Sequence, residues 1–396
     1  MDTYIKIIEE MQKKGILNVI KTIESEQGAY LTINGKKYLN LSSNNYLGLA
    51  AHPRVKEAAI EAIKKFGVGT ASVRSLVGTN SLHIELESHL AAFKKAEGAI
   101  VVTGGYVANM AAIKTLLDKD DMVISDELNH ASIIDAIRLS GVQNKFIYKH
   151  ADIQDLKNQI EKIKSILESP KENGEKRKGL IVTDGVFSMD GDLAPLPQLV
   201  EIAQELGVML MVDDAHGEGV LGDHGRGIVD HFHLHGKVDI EVGTLSKAFG
   251  VMGGFITGKK ELIEYYRQKA RQFLFTNALS IPDTAALIET VKIMEESDEL
   301  LKKLWQNAEY LKKELQKAGF DIGHSETPIT PVMLGDENKA KDFAAQLFEK
   351  GVLVSAIKFP MVPLGKARLR LIPSATHSRE DIQLGIEKII ETDKEV

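Results

Sequence analysis

The stretch Val242-Gly243-Thr244-Leu245-Ser246-Lys247-Ala248-Phe249-Gly250 follows an apolar, strand-like run that starts at Val238. It sets one lysine among small and hydroxylated residues at the point where the strand ends. A lysine amine in this setting can act as a nucleophile or a base, and the hydroxyls of Thr244 and Ser246 can donate to an anion. A lone lysine in a turn is more often a solvated surface charge, so the neighbouring strands decide between the two interpretations.

Further apolar runs alternate with helical segments along the chain. One of them, Val208 to Val212, ends directly in Asp213-Asp214-Ala215-His216-Gly217. The other strand-like runs cover residues 99–103, 122–125, 180–183, 240–242 and 254–257. Continuous apolar strands that alternate with helices predict an α/β fold, with a largely parallel central sheet covered by helices.

The ends of the chain differ from this pattern. Residues 1–50 are predicted to form an N-terminal arm, with a hairpin at Asn34-Gly35 preceded by an amphipathic helix whose apolar residues are Ile5, Ile8, Met11 and Ile16. Residues 51–285 are predicted to form the large domain. Residues 286–396 are predicted to form a small α+β domain, because helical spacing dominates there and only short strands follow.

The composition limits the possible functions. The chain has 396 residues, 43% of them hydrophobic and 27% charged, which is typical of a globular protein with a large core. With 49 basic and 56 acidic residues and no long block of one sign, nucleic acid is not expected as a partner. The absence of cysteine excludes disulfides and thiolate metal sites, and no metal site is predicted. No apolar run has signal-peptide or membrane-spanning length, so a cytoplasmic protein without a membrane partner is expected.

Polar residues follow four of the predicted strands, at the point where each strand ends. They are Asp126 to His130, Asp184 to Ser188, Asp213 with His216, and Thr244 with Lys247. Because the carboxyl ends of parallel strands meet at one edge of the sheet, these side chains are expected to form one ligand site. One such residue alone would indicate only a helix cap or a satisfied core group.

The chemistry of this set matches the needs of pyridoxal phosphate (PLP). Asp213 can keep the ring nitrogen protonated, His130 can stack on the ring, and His216 can donate to the phenolic oxygen. The phosphate needs N–H and hydroxyl donors at a helix N-terminus, for which the candidates are Gly105, Tyr106, Thr244 and Ser246. The aldehyde needs an amine, which Lys247 supplies.

Five motifs together resemble the α-oxoamine synthases, fold-type I PLP enzymes that condense an amino acid with an acyl-CoA. They are Leu41 to Gly48, Ser125 to Ser132, Thr183 to Asp192, Val212 to Gly217 and Gly243 to Lys247. The resemblance runs in order from about residue 40 to the end of the chain. It implies a PLP-dependent transferase in which Lys247 forms the Schiff base, Asp213 pairs with the pyridinium, and His130 serves both cofactor and substrate.

The same resemblance implies further roles. Ser188 would join His216 at the phenolic oxygen, and Asn44 with Arg370 would hold the substrate carboxylate. Arg74 is a further candidate for substrate binding. The loop with Thr276 and Asn277 resembles one that reaches the phosphate bound by a neighbouring subunit, which implies a homodimer with shared sites.

Within the family, Ala71 to Arg74 and Ser325 to Pro331 are similar to the glycine C-acetyltransferase branch. That branch implies condensation of glycine with acetyl-CoA to 2-amino-3-oxobutanoate, or the reverse cleavage. Two features depart from it: Gln272 replaces a usual proline, and Thr103 to Tyr106 is closer to the pimeloyl-using branch. The alternatives are therefore an 8-amino-7-oxononanoate synthase, or a promiscuous relative, that uses alanine and longer acyl groups, and a non-catalytic structural subunit.

Overall fold

The computed structural model describes residues 1–13, 17 and 20–395. The strands are β1 (Tyr30–Ile33), β2 (Lys36–Asn40), β3 (Gly98–Val102), β4 (Met122–Asp126), β5 (Asn144–Tyr148), β6 (Gly179–Asp184), β7 (Met209–Asp213), β8 (Ile240–Thr244), β9 (Gly254–Gly258), β10 (Thr330–Gly335), β11 (Val352–Leu353), β12 (Ser355–Ile357) and β13 (Ala367–Leu371). The helices are α1 (Asp2–Lys13), α2 (Pro53–Phe66), α3 (Ser81–Phe93), α4 (Gly105–Leu116), α5 (Ala131–Ser140), α6 (Ile153–Lys157), α7 (Ile160–Glu168), α8 (Leu196–Leu206), α9 (Ile228–His231), α10 (Lys260–Lys269), α11 (Arg271–Leu274), α12 (Ile281–Glu296), α13 (Glu299–Lys317), α14 (Glu337–Glu349) and α15 (Arg379–Asp393).

Seven strands form the central sheet, in the order β3-β9-β8-β7-β6-β4-β5. Only β9 runs antiparallel to its neighbours. The predicted α/β fold with a largely parallel, helix-covered sheet is therefore confirmed. The carboxyl ends of β4, β6, β7 and β8 lie side by side, which brings together the four polar segments that follow them.

Alternate residues of each central strand enter different cores. Val101 and Val212 pack on one side with helices α3 and α8, whereas Val102 and Val242 pack on the other side with α4 and α5. Burial on both faces explains why these strands are continuous apolar runs without polar alternation. Strand β5 was not predicted, because polar residues interrupt its apolar ones and it exposes Ile147.

The predicted hairpin at Asn34-Gly35 is confirmed as the antiparallel pair β1–β2. Strand β2 also pairs in parallel with β11, so the hairpin shares a sheet with the C-terminal part of the chain. Leu39 and Leu41 accordingly lie in one core with Leu369 and Ile386. Helix α1 ends at Lys13, and the predicted helical residue Ile16 lies outside the described residues.

The predicted domain boundary at residue 285 falls inside α12. This helix runs without interruption from Ile281 to Glu296 and packs against α2 and α3. The last sheet, β10-β13-β12, follows it and carries Arg368 and Arg370 on its central strand. In the described part of the chain, no helix combines the length and the apolar character needed to cross a membrane.

Candidate active site

Lys247 lies in the turn that follows β8. The buried side chains of Leu245, Ala248 and Phe249 anchor this turn in the core. Within the described residues, the Lys247 amine makes no hydrogen bond or salt bridge. Burial lowers the pKa of this amine, although the carboxylates of Asp213 and Asp184 oppose the shift. The Lys247 amine, close to Asp213 and Asp184, therefore has a reduced preference for its charged form, as a nucleophile or proton acceptor requires.

Asp213 is the last residue of β7 and is 6% exposed. Its Oδ2 accepts a 2.5 Å hydrogen bond from the Asn109 side-chain amide, and its Oδ1 accepts one from the Ala215 backbone N–H at 3.0 Å. Asn109 lies on helix α4 and also donates to the Ser132 hydroxyl at 2.8 Å. These two donors fix the orientation of the Asp213 carboxylate at the sheet edge.

His130 caps the N-terminus of α5. Its Nδ1 accepts from the Ser132 backbone N–H at 3.2 Å and lies 2.7 Å from the Ser132 hydroxyl. Because Nδ1 is the acceptor, the proton of the neutral ring is on Nε2. Burial lowers the pKa of His130 and the Lys247 cation lowers it further, against the opposing effect of Asp213. A neutral ring with an Nε2–H donor is suited to stacking and to donating one hydrogen bond.

His216 is buried and lies beside Tyr46. The Tyr46 hydroxyl is 2.7 Å from His216 Nδ1, and the two rings meet edge to face. Burial raises the pKa of Tyr46, so its hydroxyl stays protonated and donates to Nδ1. Burial places the pKa of His216 well below its ordinary value, and the cations of Lys247 and Arg370 add to this effect. His216 is therefore neutral and presents an Nε2–H.

The predicted phosphate donors meet where α4 begins. A methyl group added to Gly105 would lie 3.0 Å from Thr244 Cβ, so these two residues are adjacent and the glycine keeps the space at the helix N-terminus open. The Thr244 and Ser246 hydroxyls are 2.8 Å apart. This cradle of N–H and hydroxyl groups fits a phosphate, although the Thr244 hydroxyl also donates to the Gly253 carbonyl at 3.3 Å. The Tyr106 hydroxyl, in contrast, donates to Asp135 at 2.5 Å on the protein surface.

Arg370 and Asn44, which were predicted to hold a substrate carboxylate, are in contact with each other. The Arg370 Nη2 donates to Asn44 Oδ1 at 2.5 Å, and the buried Arg370 Nε has no hydrogen-bond partner among the described residues. Burial lowers the pKa of Arg370, and Tyr46 opposes that shift. Arg368 is already engaged, because it forms an ion pair with Asp190. Arg370 is thus the arginine of this strand with an unused buried donor.

Ser188 lies in the loop after β6. The two residues that follow it contact Arg368, which donates to the Met189 carbonyl at 3.4 Å and pairs with Asp190. The Ser188 side chain is half-buried. This loop follows the same strand end as Asp184, so Ser188 is placed at the edge of the sheet where Asp213 and Lys247 also lie.

Arg74 is not placed with Asn44 and Arg370. Its Nη1 forms a buried salt bridge with Glu87 Oε1 at 2.9 Å, and its guanidinium lies over the Phe273 ring. No contact of the described residues supports its predicted role in substrate binding. Its environment is that of a structural ion pair.

Thr276 and Asn277 lie on an exposed loop after α11. Asn277 bridges to the Val73 backbone, and the two residues line a small pocket together with Arg74 and Gln272. The neighbouring Phe275 is 74% exposed. The structure thus leaves these predicted phosphate ligands on the surface of their own chain.

Three contributors to the site had no role assigned from the sequence: Asn109, Tyr46 and Asp184. Asp184 Oδ2 accepts from the His130 backbone N–H at 3.0 Å. Burial, with the nearby Asp213 carboxylate, raises the pKa of Asp184 well above its ordinary value. A signal existed for Asn109, because an amide interrupts the apolar side of α4. The residues described above fit PLP: an amine, a carboxylate, two neutral imidazoles and a phosphate cradle surround one strand edge.

Comparisons with known proteins agree with this geometry. The family model of class I and II aminotransferases matches residues 36–389. The chain is 55% identical to the 8-amino-7-oxononanoate synthase of Thermosipho melanesiensis, over 99% of this chain and 98% of that relative. It superposes on serine palmitoyltransferase with its PLP internal aldimine at a TM-score of 0.92, with 32% identity and coverage of 100% and 97%. For 8-amino-7-oxononanoate synthase from Francisella tularensis the TM-score is 0.74, with 28% identity and coverage of 90% and 98%.

These relatives confirm the predicted family and cofactor. They do not support the glycine C-acetyltransferase branch that Ala71 to Arg74 and Ser325 to Pro331 indicated, and they favour the alternative branch instead. Short loop motifs led to the first choice, whereas agreement along nearly the whole chain supports the second. The chain belongs to the class I and II aminotransferase family and, within it, to the PLP-dependent α-oxoamine synthases.

Proposed function

We propose that the protein is an 8-amino-7-oxononanoate synthase that joins alanine to a pimeloyl thioester. The observation that carries the proposal is 55% identity to such a synthase over 99% of this chain. Identity to serine palmitoyltransferase is only 32%, although that backbone superposes more closely. Side chains rather than the backbone trace decide substrate choice, so the sequence identity has more weight here.

The product name defines the two substrates. In 8-amino-7-oxononanoate, carbons 1 to 7 with the oxo group correspond to a pimeloyl unit. Carbons 8 and 9 with the amino group correspond to the Cα and methyl of alanine without its carboxylate. The reaction therefore forms a C–C bond between the alanine Cα and the thioester carbonyl, breaks the C–S bond, and releases the alanine carboxylate as CO₂.

The chain's own residues orient the amino acid for this reaction. The Arg370 guanidinium and the Asn44 amide hold the carboxylate; their mutual contact and the unpaired, buried Arg370 Nε support this role. Lys247 is placed to take the proton from the alanine Cα, because its lowered pKa leaves the amine less strongly protonated. When bound, PLP supplies an aldehyde for the amine and an electron-withdrawing ring.

The surrounding residues set the charge of the site. Asp213, held by Asn109, is the counter-ion for a protonated ring nitrogen. His216 is neutral and offers its Nε2–H to the phenolic oxygen, while Tyr46 fixes its tautomer. His130 presents a second Nε2–H, which can stabilise the oxyanion that develops when the thioester carbonyl is attacked.

A matrix of substrates tests the proposal. Thiol release is measured with glycine, alanine and serine, each combined with acetyl-, succinyl-, pimeloyl- and palmitoyl-CoA. Alanine with pimeloyl-CoA should give the highest kcat/KM, and replacing alanine by glycine should lower it about 10- to 200-fold for the missing methyl group. Preference for glycine with acetyl-CoA would contradict the proposal, and no thiol release with any pair would support a structural subunit.

We also propose that the active unit is a homodimer with shared sites. Thr276 and Asn277 are exposed beside large apolar side chains that a soluble monomer rarely leaves in one region. These side chains are Leu76 at 76%, Val77 at 86% and Phe275 at 74% exposure. A second copy is the occupant that would bring Thr276 to a phosphate cradle.

Chain mixing tests the shared site. A Lys247→Ala chain is co-refolded with a chain that carries Thr276→Ala and Asn277→Ala, each inactive alone. Random pairing makes about half of the dimers heterodimers, and one of their two sites is intact, so activity should return to at most about a quarter of wild type. No recovery in verified heterodimers, or a fully active monomer in sedimentation, would refute the arrangement.

A further inference from the structure

A buried charged cluster lies next to the cofactor site and has no role in the chemistry above. Lys94, directly after α3, places its amine 2.9 Å from Asp214, 3.0 Å from Glu241 and 3.7 Å from Glu218. It also donates to the Arg226 carbonyl at 2.6 Å. The side chains of Lys94, Asp214 and Glu218 are at most 1% exposed. One cation thus serves three carboxyl groups away from solvent.

The cluster joins the two segments that carry the main cofactor residues. Asp214 directly follows Asp213 at the end of β7, and its carboxylate accepts from the Ile228 backbone N–H at 3.1 Å. Glu218 Oε2 accepts from the Thr244 backbone N–H at 3.2 Å, three residues before Lys247. Lys94 therefore connects, through its acids, the strand ends on either side of the site.

The backbone is shaped around these carboxylates. An added Cβ at Gly217 or Gly227 would overlap Asp214, and one at Gly243 would overlap Glu218. Three close approaches of backbone to carboxylate show a packed site and not a chance burial of charge. A substitution of Asp214 or Glu218 would therefore displace the backbone next to β7 and β8.

The charges do not balance if every acid is ionised. Burial raises the pKa of Glu218 well above its ordinary value, against the opposing effect of Lys94. Burial alone would lower the pKa of Lys94, but Asp214, Glu241 and Glu218 raise it above its ordinary value. Lys94 therefore keeps its charge within the cluster, and burial makes Glu218 favour its protonated form.

We propose that Lys94 is a positioning residue for the PLP site. It pairs with Asp214 directly after β7 and with Glu241 within β8, and the adjacent Glu218 accepts from Thr244 at the end of β8, so that Asp213 and Lys247 address one ligand. Lys94 contacts neither the reacting atoms nor the amino acid. Without the Lys94 charge, the buried carboxyl groups around it lose their counter-ion, and they must take up protons or separate. Either response shifts Asp213 and Thr244 relative to each other.

PLP binding to the apoenzyme tests the proposal without any substrate. Lys94→Met should raise the PLP dissociation constant at least about tenfold, the effect of 1.4 kcal/mol. The matched control is Lys95→Met, because the neighbouring Lys95 is 47% exposed and its partner Asp230 keeps a second contact, with His235. Its dissociation constant should stay within about twofold. Adding Glu241→Gln to Lys94→Met should recover part of the affinity, because one acid fewer lacks a cation.

If Lys94→Met does not fold, a second variant tests the proposal. Asp214→Asn keeps the shape of the side chain but removes the closest charge partner of Lys94, and it should also weaken PLP binding and shift the pH titration of the bound-cofactor absorbance. Wild-type affinity and an unchanged titration in either folded variant would overturn the proposal, even at a lowered melting temperature. Because no amino acid or thioester is present, an error in the proposed substrates would not affect this result.

Discussion

Arg370→Lys should raise the KM for alanine while the enzyme still folds and binds PLP. Arg370 presents one N–H to Asn44 and keeps a buried Nε without a partner, so its planar group can address a carboxylate at two points. A lysine keeps the charge but offers a single point of contact. Losing one charge-assisted hydrogen bond costs about 1.5 to 3 kcal/mol, which corresponds to about a 10- to 150-fold higher KM.

The assay follows initial rates of thiol release with alanine varied and pimeloyl-CoA saturating. Arg368→Lys is the matched control on the same strand, because Arg368 is paired with Asp190 and should affect stability more than the alanine KM. An unchanged alanine KM in Arg370→Lys would refute the assignment of the carboxylate site. An equal rise in both variants would show that the strand, and not Arg370 itself, controls binding.

Three further variants test other parts of the site. Asp213→Asn should lower kcat about a thousandfold, because a neutral amide no longer favours the protonated ring; a loss below about tenfold would exclude Asp213 as the partner. Tyr46→Phe leaves the buried His216 Nδ1 unpaired and should destabilise the protein by about 1 to 3 kcal/mol in chemical unfolding, whereas unchanged stability would exclude this pairing. Burial alone would lower the pKa of His150, but hydrogen bonds to Asp126 and Asp192 raise it to about 10. His150→Gln should therefore remove about 1 to 2 kcal/mol of stability after screening, in full below pH 6.5 and not at all toward pH 10. A stability difference that does not change with pH would contradict this charged pairing.

The central sheet was predictable because its strands are buried on both faces. Such strands consist of continuous apolar residues, and the runs that end at Asp126, Asp184, Asp213 and Thr244 all form strands of the sheet. Edge strand β5 follows a different rule, since solvent on one side allows polar residues among the apolar ones. Local pattern was therefore sufficient for the buried strands, including edge strand β3, and insufficient for β5, whose alternate residues face solvent.

Local pattern and spacing could not predict contacts between distant residues. Tyr46 lies 170 positions from His216, and Lys94 lies 120 positions from Asp214, so no spacing in the sequence signals either pair. The hairpin β1–β2 was recognised from Asn34-Gly35, but its parallel partner β11 depends on how the chain returns more than 300 residues later. Loop motifs likewise favoured the glycine C-acetyltransferase branch, which the relatives do not support, and Arg74 in one of these motifs forms a buried salt bridge.

A competition experiment tests the proposed function most directly. The enzyme receives equal concentrations of glycine and alanine with equal concentrations of acetyl-CoA and pimeloyl-CoA, and the products are quantified by mass spectrometry, so that their ratio reports kcat/KM for every pair at once. We expect 8-amino-7-oxononanoate to exceed each other product by about tenfold or more. A mixture dominated by the product of glycine and acetyl-CoA would contradict the proposed function.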